Sequence, residues 1–213
     1  KGYPQFDAFQ IDSEGNLLND VQWDFDTVTS ITIMPIQEKT IKLQNATFIS
    51  NPFKGNHSGS PREFYMRGIN FRNVNNFEVS NITHTLSEDK YASGYYGFLF
   101  LYDCSDAKFK DINLFARKQR VSTVDKIASY ELKLERSTNV TFENITSNGI
   151  KDFDRWGFMA SAYSKDVVFK NARVNRIDAH EGIYNLTVLD SYVGYHGFTI
   201  CGQGELHVDN TTT

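Results

Sequence analysis

The sequence is short of the residues and runs on which cross-linked, membrane-spanning and nucleic-acid-binding proteins depend. Its 213 residues include two cysteines and four prolines, and two cysteines are too few for a disulfide framework. No apolar run approaches the roughly 18 residues of a membrane span. Lysine and arginine form no cluster, and the formal net charge is −4, which argues against binding to nucleic-acid phosphates. We therefore expect neither a nucleic acid nor a membrane as a partner.

Aromatic residues are abundant, with 17 phenylalanines and 11 tyrosines. This composition favours strands over long helices, and a hydrophobic share of 40% is enough for a sizeable core. Glycine and proline are spread along the chain, and no linker divides it. The composition predicts one β-rich unit.

A short phrase recurs along most of the chain. It has two apolar residues at alternate positions, then Asn or Asp, then a small or aliphatic residue, as in Ile41-Lys-Leu-Gln-Asn45-Ala. The Asn or Asp of the seven copies is Asn45, Asn81, Asp111, Asn144, Asn171, Asp190 and Asn210. A second apolar strand precedes several copies by about a dozen residues and opens with glycine, as at Gly68-Ile69, Gly97-Phe98, Gly157-Phe158 and Gly197-Phe198.

Alternation with period two indicates a strand with one buried face. Repeated short copies predict stacked rungs, each rung being one turn of the chain, because a single rung cannot bury its inner face alone. Asn and Asp tolerate a left-handed backbone, so they can end each strand at a corner and bond to one another in a column. The pattern predicts an all-β fold: a single-stranded, right-handed parallel β-helix (β-solenoid) of about seven rungs over 40–213. Residues 1–39 are predicted to form strands that lead into it, including 21–25, or a cap.

Three long loops are predicted at 51–63, 85–95 and 117–128, and long loops on a rigid scaffold often carry binding sites. Cys104 and Cys201 fall several rungs apart, beyond disulfide reach, so we expect two free thiols that pack as small buried residues. The seventh phrase runs to the end of the sequence, and a bare solenoid end exposes core and strand edge. We expect this C-terminal end to be incomplete and to be covered by a further domain or another chain, as in a homotrimer.

The Asn- or Asp-ended rungs over about residues 30–213 resemble the pectate-lyase-like right-handed β-helix superfamily. That group holds polysaccharide lyases, glycoside hydrolases, epimerases and phage tailspikes. The segment Arg176-Ile-Asp-Ala-His180-Glu-Gly-Ile-Tyr-Asn185, with Gly194-Tyr-His-Gly197 after it, looks like bacterial and prophage-encoded β-helix proteins, some of them tail-associated. The resemblance implies an extracellular, cell-surface or virion protein whose partner is a polysaccharide or cell-surface glycan.

The chain departs from the catalytic motifs of the polygalacturonase-type families. It has Tyr195-His196-Gly197 where they carry Gly-His-Gly, and Arg176-Ile177-Asp178 where they carry Arg-Ile-Lys. Pectate lyases of this fold use a calcium-binding Asp cluster and an Arg base, and this chain has residues of those types, without diagnostic spacing, at Asp152, Asp154, Arg155 and Asp178. The acidic stretches 12–15 and 24–26 lack the full ligand spacing of a calcium loop. We expect no cofactor and no metal site, with calcium the one ion that the resemblance suggests.

The later rungs gather the densest set of charged and aromatic residues. Counted back from each phrase, Asp178 falls on the rung between those of Phe158 and Phe198. One face can then hold Asp154, Arg155, Trp156, Asp178, His180, Glu181 and His196. Aromatic rings can stack on sugars, and Asp154 with Asp178 is a candidate pair for glycoside hydrolysis, which needs carboxyls about 5–10 Å apart. The alternative is an exposed salt-bridged turn at Asp154 and Arg155, with Trp156 packing a loop.

Asp178 and His180 are two residues apart on one predicted strand, so both side chains take the same face. On an outward face, His180 would act as acid or base while Asp178 holds its tautomer. On an inward face, the two would form a buried pair that stiffens the core. Tyr96, with Tyr91 and Tyr95, lies in a long loop that either forms a sugar-stacking lip or packs on the flank of the solenoid.

Two functions fit these patterns. The first is an extracellular carbohydrate-active protein that binds and cleaves a polysaccharide as hydrolase or lyase. Its catalytic candidates are Asp178, His180 and Asp154, and its substrate-binding candidates are Arg155, Trp156, Glu181, His196 and Tyr96. The second is a non-catalytic phage-tail or cell-surface adhesion module, because a fold does not fix a function. The exposure of the face that carries Asp178 and His180 discriminates between them.

Overall fold

The computed structural model describes residues 5–51, 68–88, 97–116, 130–160 and 162–213. Within these ranges the chain is all-β, with no helix. The strands are β1 (Ile41–Ser50), β2 (Ile69–Arg72), β3 (Asn75–Leu86), β4 (Leu99–Tyr102), β5 (Ser105–Leu114), β6 (Tyr130–Glu135), β7 (Thr138–Ser147), β8 (Gly157–Ala160), β9 (Ser164–Lys170), β10 (Arg173–Leu189) and β11 (Tyr192–Asp209). The predicted loops at 51–63, 85–95 and 117–128 lie mainly outside the described residues, as does Tyr96.

The named strands pair in parallel and form one curled sheet, the arrangement of a β-solenoid. One ladder runs β1-β3-β5-β7-β9 and another runs β2-β4-β6-β8, and both continue into the long strands β10 and β11. Because each strand pairs with its counterpart one turn later, residues of the same type stack in columns. Three of the four glycine-led second strands were predicted correctly, since β2, β4 and β8 begin at or just after Gly68, Gly97 and Gly157. The fourth was wrong, because Gly197 lies inside β11 instead of at the start of a strand.

The seven Asn and Asp residues of the repeated phrase occupy left-handed corners, as predicted. Their φ angles lie between 45° and 58°. Four side-chain hydrogen bonds of 2.7–2.8 Å join corners on adjacent rungs: Asn81 donates to Asn45, Asn144 to Asp111, Asn171 to Asn144, and Asn210 to Asp190. The prediction that each of these residues ends its strand was wrong for four of the seven. At the first four positions the strand bends and continues instead of ending, because a single left-handed residue turns the chain without breaking the flanking pairing.

A second column of left-handed corners lies five residues earlier and was missed by the sequence reasoning. Its members have φ angles of 52–58° and are Asn76, Asp106, Asn139, Asp166 and Asn185. Within it, Asn139 donates to Asp106 at 2.6 Å and Asn185 donates to Asp166 at 2.8 Å. The signal was present in the sequence as a recurring Asn or Asp five residues before the one in the phrase.

Phenylalanine rings stack inside the solenoid along the first ladder. Phe109 is in register with Phe142, which is in register with Phe169. The ring centroids are 5.0 and 4.9 Å apart, and the planes are close to parallel. All three side chains are fully buried, so the alternation in the phrase does select the inner face. Burying each such ring contributes about 1.5–3 kcal/mol.

The N-terminal residues 5–39 run beside the strands with little regular structure of their own. A turn forms at Asp12, where the Gly15 amide donates to the Asp12 carbonyl at 3.1 Å. The strand predicted at 21–25 does not form. An ion pair of 3.1 Å between Lys165 and Asp7 fastens this segment to β9, and both side chains are buried. The ammonium group also donates to the carbonyls of Ala8 and Asp20.

The far side of β11 carries no paired strand within the described chain. The inner-face residues Leu206 and Val208 are consequently 53% and 45% exposed, and what covers them stays a prediction. Both thiols are free, as predicted. Cys104 is buried, but the prediction that Cys201 is buried was wrong, because Cys201 alternates outward from β11. Nowhere in the described chain is there a helix of the length and apolarity needed to cross a membrane.

Asn144 gives a test of the corner column, because it donates to Asp111 and accepts from Asn171. Replacing Asn144 by Ala removes both bonds and places a Cβ-bearing residue without local hydrogen bonds at φ 55°. We expect a loss of about 2–4 kcal/mol in the free energy of unfolding, measured by denaturant titration. Asn144→Gly keeps the backbone conformation and should lose about half as much. Equal losses in the two variants would contradict a role for the left-handed corner.

Candidate functional site

Asp178 and His180 lie on the outward face of β10. Their neighbours Ile177 and Ala179 point into the hydrophobic core and are fully buried. Ile177 is in register with Phe158 on one side and Phe198 on the other. The predicted place of Asp178, between the rungs of Phe158 and Phe198, is therefore confirmed. The outward alternative for the two side chains is also the one observed.

Three donors surround the Asp178 carboxylate, although only 1% of its surface is exposed. The Tyr130 hydroxyl donates to Oδ2 at 2.6 Å, and Nη1 of Arg176 lies 3.0 Å from the same oxygen. Nδ1 of His180 lies 2.6 Å from Oδ1. A buried charge needs such pairing, so the site can keep an ionised carboxylate away from water.

Tyr130 is held in its protonated form by its surroundings. Burial first, and then the hydrogen bond to Asp178, raise the pKa of the Tyr130 phenol well above its usual range. The hydroxyl therefore stays a donor at any ordinary pH. Tyr130 on β6 and Arg176 on β10, the strand of Asp178 itself, thus hold the Asp178 carboxylate in position from two different strands.

His180 is the accessible group of this network, with 42% of its side chain exposed. When Nδ1–H donates to Asp178, Nε2 carries the lone pair and faces outward, which suits a general base. Oε1 of Glu181, itself half exposed, lies 3.8 Å from Nε2. The arrangement can move a proton at Nε2 of His180, whereas Asp178 can only orient and stabilise that ring.

An exposed aromatic patch lies beside this network and consists of Phe153, Trp156, Tyr195 and His196. Phe153 and Tyr195 meet edge to face with centroids 5.7 Å apart, and His196 lies 5.2 Å from Tyr195 and 4.8 Å from Trp156. Phe153 is 49% exposed and Tyr195 is 61% exposed. Clustered exposed rings of this kind mark a binding surface more often than a packing accident.

Arg176 joins the aromatic patch to the dyad of Asp178 and His180. Its guanidinium lies 4.6 Å from the centroid of Trp156 while it pairs with Asp178. On its other side the patch borders an open pocket of about 520 Å³, whose lining includes Lys151, Tyr192, Tyr195, His196 and Phe198. Arg176 therefore links the rings of the aromatic patch to the carboxylate that holds His180.

The loop 149–156 is held against β11 by close backbone contacts. Gly149 takes a left-handed φ of 68°, and a Cβ at Gly194 would clash with the carbonyl of Ile150. The Tyr195 amide donates to that carbonyl at 2.8 Å, and Nε2 of His196 lies 2.9 Å from the carbonyl oxygen of Phe153. These contacts position both halves of the aromatic patch.

Several predicted site residues do not join this face. Arg155 is 5% exposed and is engaged by Asp152 at 3.1 Å and by the Ala116 carbonyl, so it cannot bind a substrate directly. Asp154 lies in the turn before β8, whereas the register partner of Asp178 on that side is Met159. Asp154 and Asp178 are therefore not register partners, and their action as a carboxyl pair stays a prediction. Trp156, His196 and Glu181 are on the site, and Tyr96 is outside the described residues.

The residues that sequence reasoning missed are Tyr130, Arg176, Phe153 and Tyr195. Arg176 had a signal, because it is two residues before Asp178 on the same alternating face. Tyr130 had none, because it reaches Asp178 across 48 residues of sequence. Within the described chain, no group of three or more His, Cys, Asp or Glu residues could hold a metal ion.

Glu131, next to Tyr130, is a second buried carboxyl that the sequence did not reveal. It is the extra residue at a register shift between Tyr130 and Leu132, opposite Gly157 on β8. Its side chain is 1% exposed, so its carboxyl group is removed from water. Burial raises the pKa of the Glu131 carboxyl well above its ordinary value, so folding favours the neutral acid at this position.

Glu131 predicts a pH dependence of stability with a definite sign. The pKa of Glu131 is 4.5 in its ordinary state and higher in the folded protein. The stability that this difference contributes is fully present below pH 4.5. It is lost as the pH rises from 4.5 towards the folded-state pKa. Between these two pKa values, we expect the free energy of unfolding of the wild type to fall by about 1.4 kcal/mol per pH unit relative to that of Glu131→Gln. Denaturant titrations from about pH 4 to pH 8 measure this, and curves that stay parallel would contradict a neutral Glu131.

No family model matches the chain, and neither any curated protein nor any solved structure matches it.

Proposed function

We propose that this protein is an extracellular carbohydrate-active protein built on a single-stranded, right-handed parallel β-helix of about seven rungs. In this proposal the outer face near its C-terminal rungs binds a polysaccharide or cell-surface glycan. The observation that carries it is the contact between the exposed aromatic patch and the Arg176, Asp178 and His180 network through Trp156. The parallel ladders and left-handed Asn and Asp corners support the fold.

Sugar recognition follows from the chemistry of the aromatic patch. Pyranose faces carry C–H groups that pack on aromatic rings, while hydroxyls and carboxylates need polar partners at the edge. Phe153 and Tyr195 offer exposed rings, and Lys151 and His196 line the adjoining pocket. A long solenoid face also suits an extended polymer, since neighbouring rungs repeat the binding surface at a spacing of about 5 Å.

His180 supplies the proton-transfer group for cleavage of the bound polymer. Hydrolysis requires protonation of a leaving oxygen and activation of water, and elimination requires abstraction of a proton beside a carboxylate. Nε2 of His180 can serve either route, because Asp178 holds Nδ1 and stabilises the charged imidazolium. Asp178 is a positioning residue here, since its 1% exposure keeps it from touching a substrate.

The second candidate function is a non-catalytic phage-tail or cell-surface adhesion module. The full burial of Asp178, with three donors from the protein itself, favours it, because such a network also stiffens a shaft. In that case the aromatic patch binds a glycan without cleaving it, and copies of the chain in a trimer cover the exposed side of β11. A wild-type protein that binds a polysaccharide but does not cleave it would fit this candidate and not the first.

Removing one exposed ring from the aromatic patch should weaken polysaccharide binding. We expect Phe153→Ala or Tyr195→Ala to reduce affinity about fivefold, because each ring contributes on the order of 1 kcal/mol. Affinity electrophoresis or calorimetry with a panel of neutral and uronic-acid polysaccharides measures this. Phe9→Ala is the matched control, since Phe9 is 48% exposed and lies outside the patch. Equal affinities in all four proteins would remove the aromatic patch from the binding surface.

Replacing His180 by Gln should abolish cleavage of a polysaccharide that the protein still binds. The expected loss is about 10²–10⁴-fold, the usual contribution of a general acid or base. Asp178→Asn should lose most of the same activity. His207→Gln is the control, because His207 is an exposed histidine on β11, the strand next to that of His180. Reducing-end assays report hydrolysis, and ultraviolet absorbance of unsaturated products reports elimination. Binding without cleavage in the wild type would select the adhesion module.

A further inference from the structure

The N-terminal segment 5–22 forms a strap that lies across the outer surface of the solenoid. Its two ends meet, because the Gln22 amide donates to the Asp7 carboxylate. The strap encloses the ammonium group of Lys165 on β9, which lies 3.1 Å from Oδ1 of Asp7 and also donates to two backbone carbonyls of the strap. The side chains of Asp7 and Lys165 are 2% and 1% exposed. A buried ion pair therefore fastens the strap to the fifth rung.

The ring of Phe6 places the strap on one corner of the solenoid. The Arg136 guanidinium lies 4.6 Å from the centroid of this ring and 4.2 Å from that of Tyr102. Two hydrogen bonds of 2.7 Å to Asp103 fix the guanidinium in place. Phe6 also meets Tyr163 edge to face, with centroids 5.6 Å apart. Phe6 thus contacts residues of two successive rungs at this corner.

The corner that the strap contacts has a strained backbone. Arg136, Ala162 and Tyr163 have φ angles of 48°, 65° and 62°, in the left-handed region that costs conformational energy for a residue with a Cβ. On the two preceding rungs the same column has Asn73 and Asp103, whose short polar side chains tolerate this conformation. Strained residues persist only where surrounding contacts hold them, and they cluster at active sites, clamps and switches.

The strained corner is bonded to the stretch of β10 that carries His180. The Arg136 amide donates to the Ala162 carbonyl at 2.8 Å, and the Tyr163 amide donates to the Gly182 carbonyl at 3.1 Å. Within the described chain, the three residues from His180 to Gly182 have no register partner in the ladders on either side of β10. The position of this short stretch therefore depends on the corner.

We infer that the N-terminal strap positions the imidazole of His180. Phe6 and Asp7 are positioning residues, and they act through the corner at 162–163. With the strap docked, the corner stays left-handed, and its last amide holds the β10 stretch where Nδ1 of His180 lies 2.6 Å from Asp178. With the strap undocked, the corner relaxes towards ordinary backbone angles and the imidazole loses this alignment.

The strap can undock without unfolding a rung, because side-chain contacts fasten it to residues far along the chain. Asp7 and Lys165 are 158 residues apart in the sequence, and Gln10, which donates to Asp106, is 96 residues from its partner. Docking of the strap therefore regulates the dyad of Asp178 and His180. The inference rests on the proposed function for the reaction that is regulated, whereas the alignment of the imidazole is measurable without any substrate.

Amide hydrogen exchange tests whether the strap holds the corner. We expect Phe6→Ala and Asp7→Asn to speed exchange of the Tyr163 amide at least about tenfold, because its bond to β10 opens more often once the corner relaxes. The Phe142 amide in the middle of β7 should keep its rate, which shows that the solenoid stays folded. Phe6→Tyr keeps the ring and should restore the wild-type rate. Phe9→Ala is the matched control, since Phe9 is a strap residue that is 48% exposed.

The imidazole supplies a readout that mere packing of the strap would leave unchanged. Nitrogen-15 NMR of the neutral ring should show His180 with its proton on Nδ1 in the wild type, because Asp178 accepts from that nitrogen. In Phe6→Ala and Asp7→Asn this fraction should fall at least about twofold, towards the signal of the exposed His207 in the same spectrum.

Ala162→Gly separates strain at the corner from simple packing. Glycine adopts the left-handed conformation as readily as any other, so the corner should need the strap less. In the Ala162→Gly background, we expect Phe6→Ala to speed exchange of the Tyr163 amide by about threefold or less, because the two substitutions act on one conformational equilibrium. An undiminished effect of Phe6→Ala in this background would show that strain is not what the strap restrains.

Turnover connects the strap to the proposed reaction. If the wild type cleaves a polysaccharide, Phe6→Ala and Asp7→Asn should lose about 10–100-fold in kcat with KM unchanged. An unchanged Tyr163 exchange rate in both variants, or a faster rate with an unchanged His180 tautomer, would overturn the positioning role. A wild type that cleaves nothing, with both NMR effects as expected, would overturn cleavage in the proposed function and leave the positioning of His180 standing.

Discussion

Every turn of this chain has to bend at the same places, and the bend requires a residue with φ near 50°. Asn and Asp meet that requirement at little conformational cost, and their side chains then bond to the corner on the adjacent rung. The inner columns depend on this alignment, because the rings of Phe109, Phe142 and Phe169 stack only if every corner falls in register. The outer columns depend on it equally, and the candidate site is made of outer columns.

The alternation of side chains along β10 places Asp178 and His180 on the same outward face, where one is buried and the other is exposed to solvent. Ile177 and Ala179 are committed to the core, so Asp178 and His180 must point away from it. Asp178 is nevertheless buried, because Tyr130 from β6 and Arg176 from its own strand lie over its carboxylate. The result is a charge that the protein neutralises and an imidazole that solvent can reach. Such a division of roles is what a positioned acid or base needs.

Local sequence patterns predict most of the fold, whereas part of the candidate site depends on contacts between residues that are far apart in the sequence. The seven corners, the inner phenylalanines and the place of Asp178 all follow from spacing within about 15 residues, where alternation and turn chemistry act. Tyr130 meets Asp178 across 48 residues, and no local rule predicts that contact. Asp154 lies in the turn before β8 and is not the register partner of Asp178, which is Met159. Arg155 failed because a turn can bury an arginine as readily as expose it, once Asp152 and the Ala116 carbonyl are within reach.

The corner column described above has a direction, since each amide donates towards the N-terminal side. Aspartate can receive such a bond but has no amide hydrogen with which to pass one on. The column is therefore divided at Asp111 and Asp190 into three separate runs, of which only the middle one, from Asn171 through Asn144 to Asp111, spans two bonds. Mutual strengthening of hydrogen bonds is confined to a connected run. The corner pair of Asn45 with Asn81 and that of Asp190 with Asn210 are thus bonded separately from the middle run. Losing either of these bonds leaves the mutual strengthening within the middle run intact.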